Sequence, residues 1–371
     1  MRRAVQLLVL AILASADSWA QAPTVTAPAL PVVLVVATGG TIAGVQPEPG
    51  SLGQYEAGTL TAEQILASVP QLSTIARMET LQFSNVASAQ ITPTQWIVLA
   101  RRIDEVLRTR ADVVGVVVTH GTDRLEETAF FLHLTVRSAK PVIVVGAQRP
   151  ATGISADGPL NLLNAVRTAI SSQAVGKGVL VVMDDRIISA REARKFYPRV
   201  GGFSGGEMGM LGVIATTGPE FFFAPVRRHG VSSEFALADL QTLPEVDLVY
   251  AYPGGRGREY ATPPAGVVVS VTAMTCAEVG AYQVLARAGV MVVTVFPSGD
   301  DTGNQLTALD SLPLGLRRAC PELERSGLLR APFLRAIVAQ HLTPQKARIL
   351  LMLALTRTRD RAEVQRVFNS Y

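Results

Sequence analysis

Three segments carry residue types suited to nucleophilic and proton-transfer chemistry. In residues 32–44, VVLVVATGGTIAG, an apolar run meets Thr38, Gly39, Gly40 and Thr41. A buried strand that stops at a Gly-Gly turn delivers the next residue to the carboxyl edge of a sheet, where open α/β sheets place their ligands. Thr41 is therefore a candidate nucleophile, although a threonine hydroxyl is weak at its free pKa and needs a base or a hydrogen-bonded relay beside it. In residues 116–132, VVVTHGTDRLEETAFFL, a strand ends at Thr119-His120-Gly121 and leaves Thr122 and Asp123 on the lip. Asp123 reads two ways. It can be the N-cap of the helix that follows, or a carboxylate that holds an ammonium group or joins a proton-transfer chain. The third segment, VVMDDRIISAREARKF (181–196), sets Lys195 among Asp184, Arg191, Glu192 and Arg194. In such company a lysine is ordinarily a solvated surface residue, and it serves as a base only if burial lowers its pKa.

Other chemistries lack their residues. His120, His133, His229 and His341 have no metal-ligand spacing, and there is no H-E-x-x-H, no close Cys pair and no G-x-S-x-G elbow. GGTIAG is neither a P-loop nor a dinucleotide fingerprint, so no metal and no cofactor is expected. Of 371 residues, 48% are hydrophobic and 17% charged, which marks a chain that buries a sizeable core. The net charge of +4 is small and the arginines are scattered; the densest group, Arg317 to Arg335, reads as a solvated helical face rather than a nucleic-acid footprint.

The elements that must position these residues are visible as apolar runs. After Val32 these are VVGVVVTHG (113–121), PVIVVGAQ (141–148), GVLVVMDD (178–185), EVDLVYAY (245–252), GVVVSVTA (266–273) and VMVVTVF (290–296). Continuous Val/Ile runs spaced by amphipathic stretches predict parallel strands covered on both faces, an α/β fold. Helices are predicted at 61–69, with a Thr N-cap and Glu63 in the first turn, at 92–108, with Pro at the first helical position, and at 343–358. Trp96 falls on the apolar stripe of the second and reads as core. The pattern breaks between about Gly201 and Leu243, which predicts two unequal α/β domains, 32–243 and 244–371. Residues 1–20, with two arginines, an apolar run from Ala4 to Ala14 and Ser18-Trp19-Ala20, read as a signal peptide. Residues 21–31, with three prolines, read as a tether. No later run reaches spanning length, so the mature chain is expected to be exported, periplasmic or secreted, with no membrane partner. Export would permit a disulfide between Cys276 and Cys320.

ATGGTIAG (37–44), THGTDRLEETAFFLHLTV (119–136), KPVIVVGAQRPATGISADGPLNLLNAV (140–166), GVLVVMDDRI (178–187) and LTPQKARILLMLALT (342–356) together resemble the bacterial type II L-asparaginase and asparaginase-glutaminase family. The resemblance covers nearly the whole chain after Pro31, strongly to about residue 190 and in patches between 255 and 340. It implies hydrolysis of an amino-acid amide, L-asparagine or also L-glutamine, with Thr41 as nucleophile. It makes Tyr55 a tyrosine on a mobile lid that hydrogen-bonds the nucleophile. Thr122, Asp123 and Lys195 become a second catalytic group; Ser88 holds the substrate α-carboxylate and Asp123 faces the α-ammonium. Ala89 stands where the family usually has Gln, which bears on substrate preference. The family's neighbouring-subunit Asn and Glu have no evident counterpart in 271–283 or 298–310. The resemblance further implies a homotetramer with sites at subunit interfaces. A catalytically weakened amino-acid-binding protein, or an amidase with a shifted substrate, is the alternative that these departures leave open.

Overall fold

Valine-rich runs without polar alternation are stable as strands only when both faces are covered, and the first such run does this completely. β1 (Val32–Gly39) is buried at every position and lies parallel to β2 (Arg77–Val86) on one side and β3 (Val113–Thr119) on the other. β4 (Val142–Val145) and β5 (Val179–Met183) continue the parallel series. β6 (Arg186–Ser189) then turns antiparallel. A two-residue ribbon, β7 (Arg194–Lys195) with β8 (Phe203–Ser204), stands outside the sheet before β9 (Met210–Ala215) and β10 (Gly218–Phe221) complete it. The order is β10-β9-β6-β5-β4-β3-β1-β2. The chain leaves β1 to one side for β2 and crosses to the other for β3, so the winding reverses between β1 and β3, the place where such sheets open a crevice.

This computed structural model describes residues 29–48, 50–51, 53–238, 240–299, 318–328 and 336–371. The expected signal peptide, most of the tether, most of 298–310, and residues 317 and 329–335 of the arginine-rich group lie outside the described residues. Pro31–Tyr371 forms one compact unit that also carries a second, wholly parallel sheet of β11 (Val246–Tyr250), β12 (Gly266–Ser270), β13 (Met291–Val295) and β14 (Ile337–Val338).

The helices begin where their caps say they should. α1 (Ala62–Ala67) is capped by Thr61, but Gln64 rather than Glu63 closes the capping box. α2 (Pro93–Thr109) starts at Thr92 with Gln95 in the same role, and buries Trp96, Leu99, Ala100, Ile103 and Leu107. α3 (Leu125–Thr135) and α4 (Gly158–Ala169) follow β3 and β4. α5 (Cys276–Arg287) and the short α6 (Pro321–Arg325) are joined by a Cys276–Cys320 disulfide. The expected last helix ends early, at Leu355, as α7 (Pro344–Leu355), and α8 (Arg361–Ser370), unread in the sequence, follows it. One core joins the two sheets: Phe130 and Phe131 of α3 and Leu350 and Leu351 of α7 share a cluster with Val116 and Val144 of the first sheet and Val268 and Val293 of the second.

Candidate active site

Each of the two lip threonines follows a glycine, and the two glycines touch. Gly40 has φ 82° and ψ −169°, a region open essentially to glycine alone, and a Cβ there would lie 2.2 Å from the Gly121 Cα. The ends of β1 and β3 therefore meet backbone to backbone, and Thr41 and Thr122 leave from that contact. Both are buried, 6% and 4% exposed.

Thr41 opens a single 3-10 turn, Thr41–Ala43. Its Oγ1 is 2.8 Å from the Tyr55 hydroxyl, in a hydrogen bond that either oxygen can donate. Tyr55 comes from a loop closed at its base by reciprocal Val45–Glu56 backbone bonds. The far side of that base is tied to the Thr41 turn, Gly58 N donating to Gly40 O and Leu60 N to Ala43 O. Tyr55 is 40% exposed, so the residue meets solvent while its hydroxyl bonds to the buried Thr41.

Thr122 has a different partner. Lys195 Nζ donates to Thr122 Oγ1 at 2.8 Å and to Asp123 Oδ1 at 2.6 Å. The lysine side chain is 15% exposed and the aspartate 75%, so Lys195 is not the solvated surface residue its charged neighbours suggest. The two readings of Asp123 are also decided. The N-cap position of α3 is Arg124 and carries no side-chain cap bond; the Asp123 carboxylate is engaged with the lysine instead. A threonine, a lysine and a carboxylate in series are groups through which a proton can be relayed.

Ser88 is buried beside these groups: a Cβ on Gly121 would meet its Cβ at 2.9 Å. Its Oγ accepts from Arg124 N at 3.2 Å, which leaves the hydroxyl proton for an anionic acceptor. Ala89 is exposed and lines a cleft of about 420 Å³ with Trp96, Arg124, Glu127, Asp247 and Arg348.

Sequence reasoning assigned nothing to His120, which is fully buried behind the lip. Its Nδ1 lies 2.8 Å from Gly121 O and its Nε2 2.9 Å from Thr128 Oγ1, which accepts in turn from Trp96 Nε1. A carbonyl only accepts, so Nδ1 carries the proton. Burial holds the imidazole neutral, with its pKa pulled down to about 4. Also unread were Glu126, whose carboxylate accepts from Lys195 N, and Lys346, fully buried in α7. The available signal for the latter was a lone lysine in the apolar run KARILLMLAL.

Comparison with known proteins covers the same ground. Residues 32–227 match the family model described as Asparaginase, N-terminal. The chain is 39% identical over 360 residues to L-asparaginase 2 of Bacillus subtilis, across 92% of this chain and 87% of that protein. It is 37% identical over 358 residues to the glutaminase-asparaginase of Pseudomonas fluorescens, across 91% and 90% respectively. Among solved structures, a probable cytoplasmic L-asparaginase from Campylobacter jejuni superposes with a TM-score of 0.79 at 32% identity, covering 92% of this chain and 100% of that one.

Proposed function

Because the chain belongs to the asparaginase family, we propose that it hydrolyses L-asparagine, and L-glutamine as a second substrate, to the amino acid and ammonia through an ester on Thr41. The observation that carries this reading is the pair of buried threonine hydroxyls on touching strand ends, one bonded to a tyrosine and the other to a lysine–carboxylate pair.

In this reading Thr41 Oγ attacks the side-chain amide carbon. Its proton passes through the Tyr55 hydroxyl to the departing nitrogen, which leaves as ammonia. Water then attacks the ester, and its proton moves through Thr122 Oγ to Lys195 Nζ. That step requires Lys195 to present an unprotonated amine, so that it accepts from Thr122 rather than donates. The ester C–O bond then breaks, and the proton taken up by Lys195 is returned to Thr41 Oγ, which regenerates the threonine and releases the carboxylic acid. Backbone N–H groups at the Gly40–Thr41 turn and at Thr122 would face the oxyanion, the kind of interaction that contributes most when water is excluded. The Tyr55 loop supplies that exclusion on closing. Ser88, with its proton free, suits the substrate α-carboxylate, and Asp123 its α-ammonium.

Ala89 favours a broadened or shifted substrate, since a methyl group makes no hydrogen bond to a bound amino acid. The division into domains 32–243 and 244–371, the homotetramer and export belong to the same proposal. Export is supported by the N-terminal apolar run and by the Cys276–Cys320 disulfide, a bond that suits an oxidising compartment. Among the described residues no helix is long and apolar enough to cross a membrane.

The test is ammonia release by the chain from Gln21 onward, offered L-asparagine, L-glutamine and their D-forms, with Thr41→Ala alongside. The expected result is turnover of the L-amides that falls by about a thousandfold or more in the variant. Undiminished turnover in Thr41→Ala overturns the nucleophile. Inertness of the parent chain toward all four, with L-aspartate still raising its melting temperature, makes it an amino-acid-binding protein or an amidase for another substrate.

A further inference from the structure

We propose that Glu126 is the positioning residue for Lys195, fixing where its amine meets Thr122; this rests on reading Lys195 as the proton-transfer lysine. The reason a dedicated hold is needed lies in the fold. Lys195 sits in β7, which pairs only with the two residues of β8 and belongs to neither large sheet. A ladder that short is marginal by itself, and a site that moves protons needs its groups held to a fraction of an ångström.

The lysine is tied at both ends to one rigid segment. Its Nζ reaches Thr122 Oγ1 and Asp123 Oδ1, and its backbone N–H donates to Glu126 Oε2 at 2.8 Å. Thr122 and Glu126 lie four residues apart across the start of α3, so the amine and the backbone of Lys195 are referenced to the same short stretch. Glu126 stands in the first turn of α3, where the helix dipole favours a negative charge, and the carboxylate is half-buried.

The residues just ahead of Lys195 are held separately, from α7. Lys346, fully buried, donates from Nζ to Arg191 O and to Ala193 O at 2.8 and 2.5 Å and lies 5.8 Å from the centre of the Phe130 ring. Arg191 in turn donates to the carbonyls of Gln340, His341 and Tyr371. Lys346 thus holds the carbonyls of Arg191 and Ala193, and the Glu126 bond adds a hold on the Lys195 peptide itself.

Steady-state kinetics on L-asparagine and amide hydrogen exchange at Lys195 test this with two variants. Glu126→Ala removes the acceptor, and kcat should fall by roughly 30-fold with KM within about 2-fold of the parent, the cost of a small misplacement of a reacting group. The Lys195 amide should exchange at least about tenfold faster. Glu126→Gln keeps an oxygen that accepts the same N–H, and should restore kcat to within about 3-fold together with amide protection. A Glu126→Ala enzyme with parental kcat or parental protection overturns the assignment, as does a glutamine variant no better than the alanine one. Should the parent chain turn over no amide, the proposed function fails, and the exchange comparison still decides whether Glu126 positions Lys195.

Discussion

At the scale of single residues, the site separates two hydroxyls of the same type by their partners. Thr41 meets a phenol, which can pass a proton but not hold an extra one; Thr122 meets an amine, which can. The Lys195–Asp123 ion pair adds little to stability, because the carboxylate is 75% exposed and water screens it. Lys195→Met therefore separates chemistry from folding. Ammonia release should drop by about a thousandfold, while the melting temperature stays within a few degrees of the parent. A variant that keeps its turnover would remove Lys195 from the proton chain, and one that loses its fold would show the lysine to be a structural post. Asp123→Asn, which keeps an acceptor for Nζ without the charge, should fall between the two in activity.

At the scale of elements, the contact between β1 and β3 is where a single methyl group should do most harm. Gly40→Ala places a side chain at φ 82° and 2.2 Å from the Gly121 backbone. The backbone conformation alone costs about 1–3 kcal/mol, and relieving the clash must push the two strand ends apart, and Thr41 and Thr122 with them. Loss of activity with a melting temperature lower by several degrees is expected. Gly53→Ala, in the Tyr55 loop with no atom within 4 Å of the new methyl, should leave the melting temperature unchanged; equal effects from the two would refute the argument. The same elements show what a sequence reveals. Strands buried on both faces write apolar runs rich in valine, so β3, β4, β5, β12 and β13 were legible, two to four residues too long, and β1 two residues too short; the half-buried β11 was legible too, three residues too long. The edge strand β2 (RMETLQFSNV) and the antiparallel β6 and β10 mix polar with apolar residues, and β9 (MLGVIA) is a short run broken by glycine, so they carried no such mark. Thr41, Thr122 and Asp123 could be read from strand-end logic. Lys195 could be noticed but not assigned from its own neighbours, because the groups that engage its amine, Thr122 and Asp123, lie 73 and 72 positions away in the chain. Glu126, Lys346 and Arg191 went unassigned because their partners are likewise distant in sequence.

At the scale of the whole molecule, α3 lies at the centre of a core shared by both sheets, and a buried imidazole stands at each end of it. His120 precedes the helix, with its pKa pulled down to about 4 by burial. His133, in its last turn, accepts at Nδ1 from Val179 N of β5 and stacks 4.9 Å from His229; burial, then the nearby His229, hold it well below the ordinary value. Both imidazoles are neutral in the fold and titrate normally once unfolded. Below the unfolded pKa of about 6.5 the unfolded chain binds more protons, so stability must fall as pH falls. For His120 alone the loss between pH 6.5 and pH 5 is about 1.5 kcal/mol, and His133 acts in the same direction. Carboxylates titrate lower and contribute mainly below pH 5. The alkaline side has the same sign: burial lowers Lys346 to about 8, so the penalty for enclosing its charge is relieved between pH 8 and about 10.5 and stability contributed by this group rises with pH there. Denaturant unfolding at a series of pH values reads both arms. A falling stability from pH 6.5 to 5 that becomes shallower in His120→Gln is the expected outcome, and a flat profile over that range would mean that the two imidazoles are protonated inside the fold.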